Sequence, residues 1–259
     1  MVRHCFAYAP AWFACIIGAF SCAKPVSCSA QQHVALELVL AIDTSTSVDE
    51  REFILQRNGL ASAFRDPSVI RSIENLGPTG AAIALVQWAG PGRQSLSIGW
   101  QVLTDAASAH HMAQAIEHTA RAHTGFTDIG DAIAFSTTAI ETNIFEGKRK
   151  AIDVSGDGVS DRNNPVPFRN IAIGKGITIN GLIIYSQEYD LGELARFELH
   201  DHYSQRVIGG SGAFLMEADS FDEFAEAMRR KLVREISGAN VVKALQPLHA
   251  ALSDSTQAR

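Results

Sequence analysis

The stretch that most limits the fold is Leu36 to Asp43, LELVLAID. Its aliphatic residues run almost without interruption, the pattern of a strand covered on both faces and hence of a parallel sheet between helices. A carboxylate stands where that strand would leave the sheet, followed by Thr44-Ser45-Thr46-Ser47. Alternate side chains of extended chain share a face, so Asp43, Ser45 and Ser47 can point three oxygens the same way. Hard cations such as Mg²⁺ take oxygen ligands of this kind and keep several waters. The competing account is a helix cap. Ser47 and Glu50 are spaced as in a capping box, at the start of a helical pattern over Val48–Phe64.

Downstream, strands alternate with helices. Ala81–Trp88 and Leu96–Leu103 read as an antiparallel hairpin around the turn Ala89-Gly90-Pro91-Gly92. A helix over Asp105–Arg121, opened by Thr104 or Asp105, leads through His123-Thr124-Gly125-Phe126-Thr127 to another over Ile129–Thr142. The strand Arg149–Val154 ends at Ser155-Gly156-Asp157-Gly158, and a helix running to about Ile173 and a buried strand Ile177–Tyr185 follow. Leu191–His202 reads as helical and Ala213–Glu217 as a short strand. Ser220 and Glu223 form a second capping box, behind which Phe221, Phe224, Met228, Leu232 and Ile236 recur at helical spacing. This order predicts an α/β domain: a mainly parallel central sheet, one antiparallel edge hairpin, and helices on both faces. Ligands of such sheets gather beyond the carboxyl ends of the strands, where Asp43 and Asp157 both fall.

Residues 1–30 read as a signal peptide: Arg3 and His4, then an apolar stretch Ala11–Phe20, then Cys28-Ser29-Ala30 as a cleavage site. The apolar part is shorter than the roughly 20 residues of a membrane span, and no later stretch qualifies. The expectation is an exported protein, periplasmic or secreted from a Gram-negative bacterium. Lipid attachment at Cys22 or Cys28 is less favoured, because neither follows the usual leucine and small residues. All four cysteines lie in this segment, leaving the mature chain without a thiolate or disulfide. Residues 31–238 are then one domain, and 239–259 a tail without firm periodicity. Losing Arg3 and Lys24 moves the formal charge from −6 to −8, with 20 basic against 28 acidic residues. An acidic chain without a basic run does not bind a phosphate backbone.

Thr127 and Asp157 each have a bland explanation, as an N-cap and a turn aspartate. Together with Asp43, Ser45 and Ser47 they place five oxygen donors at one sheet edge. The histidines, His110, His111, His118 and His123 around one helix and His200 and His202 flanking Asp201, lack a converging set and read as solvated. Trp88 and Trp100 read as hairpin packing. The turn Gly209-Gly210-Ser211-Gly212 precedes a strand and lacks the lysine of a phosphate loop.

The order D-x-S-x-S, a Thr in a glycine-containing loop before a helix, then Asp after a later strand resembles the metal-ion-dependent adhesion site of von Willebrand factor A domains. The likeness runs from about Ala35 to Ile236, and ELVLAIDTSTSVD, VQWAGPG, TDIGDAI, AIDVSGDG, ITINGLII, VIGGSGAF and FAEAMRRKL resemble an uncharacterised family of exported bacterial proteins with this domain. The resemblance implies a three-layer, Rossmann-like fold. It implies Ser45, Ser47 and Thr127 as direct ligands of a divalent cation, Mg²⁺ first and Mn²⁺ or Ca²⁺ as alternatives, with Asp43 and Asp157 acting mainly through water. It further implies an open coordination position for an acidic residue of a partner protein. The sequence departs from the commoner pattern at Gly156, where a Thr usually precedes the aspartate.

Two other functions compete with this non-catalytic binding module. One is a metal-dependent hydrolase using Asp43, or Ser45 with a histidine. Against it, Ser45 occupies the place of the second acid of a phosphotransfer site, and no G-x-S-x-G elbow occurs. The other is a scaffold of the same fold without an ion.

Overall fold

The computed structural model describes residues 31–185 and 192–238. The expected signal peptide, the tail from 239 and Leu191, the expected first residue of a helix, lie outside the described residues. β1 (Gln32–Asp43) lies inside a sheet of order β3-β2-β1-β4-β5-β6, with β2 at Ala81–Trp88, β3 at Gln94–Leu103, β4 at Phe145–Gly156, β5 at Ile177–Ile184 and β6 at Leu215–Ala218. Among these six strands, β2 and β3 pair antiparallel and the other neighbours pair parallel.

The alternation of β1 divides the core. Leu36, Leu38, Leu40 and Ile42 face a layer that includes Phe53, Leu60 and Phe64 of α1 (Glu50–Arg65), Met112 and Ile116 of α3 (Ala106–Glu117), and Phe224, Met228 and Leu232 of α7 (Phe224–Ser237). Val39 and Ala41 face the other layer, with Ile129 and Ile133 of α4 (Ile129–Glu141), Ala172 of α5 (Val166–Gly174) and Leu199 of α6 (Gly192–His202). The result is the three-layer α/β arrangement that the alternating pattern predicts.

The helix starts depart from expectation in a consistent way. Asp49, not Ser47, caps α1: its carboxylate accepts from Glu52 N at 2.7 Å while Glu52 accepts from Asp49 N at 2.9 Å. Asp128, not Thr127, caps α4 by accepting from Asp131 N at 2.9 Å. Ser220 makes no side-chain cap bond, because a 3₁₀ turn over Phe221–Glu223 comes first and moves the start of α7 to Phe224. A helix the pattern did not predict, α2 (Pro67–Glu74), follows α1 directly. Pro67 forces Asp66 into extended backbone, ending α1, and the Asp66 carboxylate then caps α2 through Ser68 N at 2.7 Å.

Candidate functional site

Adjacent register sets up the site: Ile42 of β1 pairs with Ser155 of β4, so Asp43 and Gly156 leave the sheet side by side. The chain turns opposite ways from this point, with β2 on one side of β1 and β4 on the other, and the crevice between the two loops is where such sheets bind ligands.

The first loop is held from outside. Thr44 donates through both N and Oγ1 to Trp88 O, at 2.8 and 3.0 Å, and Thr46 N donates to Gly125 O at 2.8 Å. That leaves Asp43, Ser45 and Ser47 to the crevice. Asp43 is fully buried, its Oδ1 accepting from Ser45 N at 2.7 Å. Ser45 Oγ stands 3.1 Å from Ser47 Oγ, which donates to Asp157 Oδ1 at 2.7 Å. Thr127 reaches the same place: a β-carbon on Gly158 would lie 3.6 Å from its Oγ1. Asp161 pins Thr127, accepting from its N at 3.2 Å and donating its own N to Thr127 O at 2.8 Å. All five residues singled out in the sequence therefore meet at one edge.

Both carboxylates at this edge resist ionisation. Burial drives Asp43 well above the usual carboxylate range, the charge of Asp157 adds to this, and Ser45 and Arg121 pull it back. Burial first, with the charge of Glu52 adding to it, pushes Asp157 up to about 6, and the hydrogen bond from Ser47 opposes the shift. Asp43 Oδ2 is buried with no hydrogen-bond partner among the described residues, an arrangement that costs free energy unless something compensates it. Three hydroxyls and two carboxylates, with one carboxylate oxygen unserved, fit a hard divalent ion.

Several residues of the site were not legible in advance. Arg121 lies just beyond α3, and its Nη2 sits 2.9, 2.7 and 2.6 Å from the carbonyls of Thr44, Ser45 and Val48. Gln87, buried in β2, holds both neighbours of Arg121 by donating to Ala120 O at 2.9 Å and accepting from Ala122 N at 2.7 Å. Gln56 of α1 donates to Asp43 O at 2.9 Å. The one sequence signal was Gln87, a lone polar residue in an apolar strand.

His202 corrects the reading of every histidine as solvated. It is half-buried, and its Nε2 accepts from Ser160 N at 3.3 Å, bracing the loop that carries Asp157 and Asp161. Burial, with Arg206 nearby, lowers its pKa, in keeping with a neutral acceptor. His123 pairs with Ser95 at 3.0 Å and His118 with Gln114 O at 2.7 Å. Trp88 is fully buried and Trp100 packs near Phe145, with ring centroids 6.2 Å apart, as hairpin packing predicts.

Solved structures with this fold include the proximal thread matrix protein 1 of the mussel byssus with a zinc-occupied MIDAS motif (15% identity, TM-score 0.50, 79% of this chain and 46% of that one). BatB from Bacteroides thetaiotaomicron is similar at 16% identity and TM-score 0.53, covering 78% of this chain and 100% of that one. The vWF domain of the type V pili tip protein Mfa5 from Porphyromonas gingivalis is similar at 14% identity and TM-score 0.51, covering 77% and 94%. The chain spans less than half the length of the mussel protein. No curated protein matches the sequence. A family model described as "Protein of unknown function (DUF1194)" matches residues 33–240. With its von Willebrand factor A-like fold, the chain belongs to that family.

Proposed function

We propose that this chain is an exported, non-catalytic protein-binding module that holds a divalent cation, Mg²⁺ in the first place, and presents it to an acidic residue of a partner. One observation carries the reading: Ser45, Ser47 and Asp157 form a continuous hydrogen-bonded chain, and the unserved oxygen of Asp43 and the hydroxyl of Thr127 lie against the glycines on either side of Asp157. The helix-capping duties that competed for Ser47 and Thr127 fall to Asp49 and Asp128, so both hydroxyls are available as ligands. The zinc-occupied motif in the mussel protein supports a divalent ion at this kind of site. Exposed Phe126, with the Arg162 guanidinium 3.7 Å over its ring, adjoins Thr127 and gives a partner an aromatic and cationic rim to meet.

Residues 43, 45, 47, 127 and 157 supply oxygen donors, and the bound ion supplies the local positive charge that an otherwise acidic chain lacks. Calorimetric titration of the purified chain with Mg²⁺ and Mn²⁺ tests the first step. The wild type binds, and Asp43→Ala with Ser45→Ala does not; equal heats from both would sink the metal reading. An ion held only by the folded state raises stability by about 2.7 kcal/mol at a hundred times its Kd. A melting midpoint indifferent to Mg²⁺ and to chelator would leave a scaffold without an ion. Pull-down from envelope extract, with chelator and an Asp43→Ala control, then tests for a partner whose capture needs the ion.

A further inference from the structure

Tyr203 begins a five-residue π-helical turn, Tyr203–Val207, at the end of α6, closed by Ile208 N donating to Tyr203 O at 3.0 Å. Single π-helical turns of this kind recur at functional sites because they re-aim a side chain. Here the ring packs fully buried among Val39, Val154, Ile179 and their neighbours, so the core would accept a phenylalanine. The hydroxyl is what needs explaining. It is buried and has no hydrogen-bond partner among the described residues, whereas a buried tyrosine hydroxyl normally finds one.

Gly156 shows where the hydroxyl is aimed. A β-carbon at that residue would lie 2.8 Å from Tyr203 Oη and 2.8 Å from Asp43 Oδ2. The two unserved oxygens of this end of the sheet therefore flank the same point over one glycine. One is a donor and acceptor, the other an acceptor only. Pairing the phenol with the carboxylate oxygen would satisfy both. Any side chain at this position would press on both oxygens.

Resting on the metal reading above, we propose that Tyr203 is a positioning residue of the ion site, whose phenol donates to Asp43 Oδ2 when the ion is bound. Ser45 N holds one carboxylate oxygen and Tyr203 the other, so Asp43 is fixed in orientation toward the ion and its waters. Gly156 makes room for the contact. Next to it, His202, the last residue of α6, braces the Asp157 loop by accepting from Ser160 N.

The test compares wild type and Tyr203→Phe as full chains, by Mn²⁺ and Mg²⁺ calorimetry and by melting without metal. Removing such a supporting hydrogen bond lowers metal affinity about tenfold. The metal-free melting midpoint should stay the same or rise, because an unpaired hydroxyl has been removed. Unchanged affinity in Tyr203→Phe overturns the proposal while leaving the metal site intact. A metal-free midpoint that falls together with affinity also overturns it, since the phenol is then structural. No binding by the wild type overturns the metal reading itself. As a second variant, Gly156→Ala should weaken metal binding in the wild type and cost less in the Tyr203→Phe background, where one of the two oxygens it presses on is gone. Equal losses in both backgrounds count against the contact.

Discussion

Ser47 Oγ donates to Asp157 Oδ1, and the first turn of helix α1 takes its cap from another residue. The capping work is done two residues later by Asp49, whose carboxylate meets Glu52 N. The division makes opposite predictions for two neighbouring positions. Asp49→Ala removes a cap worth about 1 kcal/mol and should lower the unfolding free energy in urea by that amount, with Mg²⁺ affinity little changed. Ser47→Ala should leave the unfolding free energy within about 0.5 kcal/mol of wild type without metal and abolish tight ion binding. The reverse pattern, with Ser47→Ala the less stable variant and its ion affinity intact, would return Ser47 to the cap. Sequence alone left this contest open because Ser47 and Asp49 are both competent caps. What decides it is the arrival of Asp157 from a strand more than a hundred residues away.

At the scale of elements, the site is assembled by contacts that skip across the sheet. Gln87 of β2 fixes the backbone on both sides of Arg121, and Arg121 fixes the backbone of the Asp43 loop. The order of most strands and helices and the placement of the five candidate oxygen donors at one sheet edge were legible, because each is written locally as periodicity or as residues next to a strand end. Arg121, Gln56 and Tyr203 were not, because each acts on a residue distant in sequence, and nothing in their own neighbourhoods marks them. Helix α2 was missed for another reason: it follows α1 across a single extended residue, Asp66, with no polar loop to announce it. The Arg121 link is testable. Its hydrogen bonds are charge-assisted, so Arg121→Ala should cost about 1.5–3 kcal/mol in denaturant unfolding. Amide exchange should also accelerate over residues 44–48, and Arg121→Lys should rescue little, since an ammonium lacks the planar fork. Unchanged exchange in that loop would remove Arg121 from its support.

At the scale of the whole molecule, the pH dependence of stability should carry the mark of one buried cluster between α7 and the sheet. Lys231 is fully buried, with Nζ 2.6 Å from Asp153 Oδ1 and 2.9 Å from Glu235 Oε1. Asn180 Nδ2 donates to the same Glu235 oxygen at 2.9 Å, and the Phe214 ring centroid lies 5.0 Å from Nζ. Arg149 reaches the carbonyls of Glu235 and Ile236 at 2.7 and 2.6 Å, so its charge borders the cluster without pairing a carboxylate. The Lys231–Asp153 contact is an ion pair by distance, but neither Asp153 oxygen is in hydrogen-bonding geometry. One ammonium therefore faces two carboxylates. Burial first and Glu235 second push Asp153 up to about 7, with Lys231 opposing. The unfolded aspartate titrates near 3.9. Between those values the folded state holds a proton that the unfolded chain has released, so this group's contribution to stability falls as pH rises from about 4 to about 7, then levels. Asp153→Asn keeps the Lys231–Glu235 pair and removes that slope. Its stability relative to wild type should rise across the same window and stay flat on either side, read from urea midpoints at matched salt. Lys231→Met instead leaves two carboxylates buried together and should cost about 3–5 kcal/mol at pH 8, less at pH 5. Because every other titrating group is common to wild type and Asp153→Asn, a stability difference constant from pH 4 to 8 would exclude Asp153 as the source of the slope.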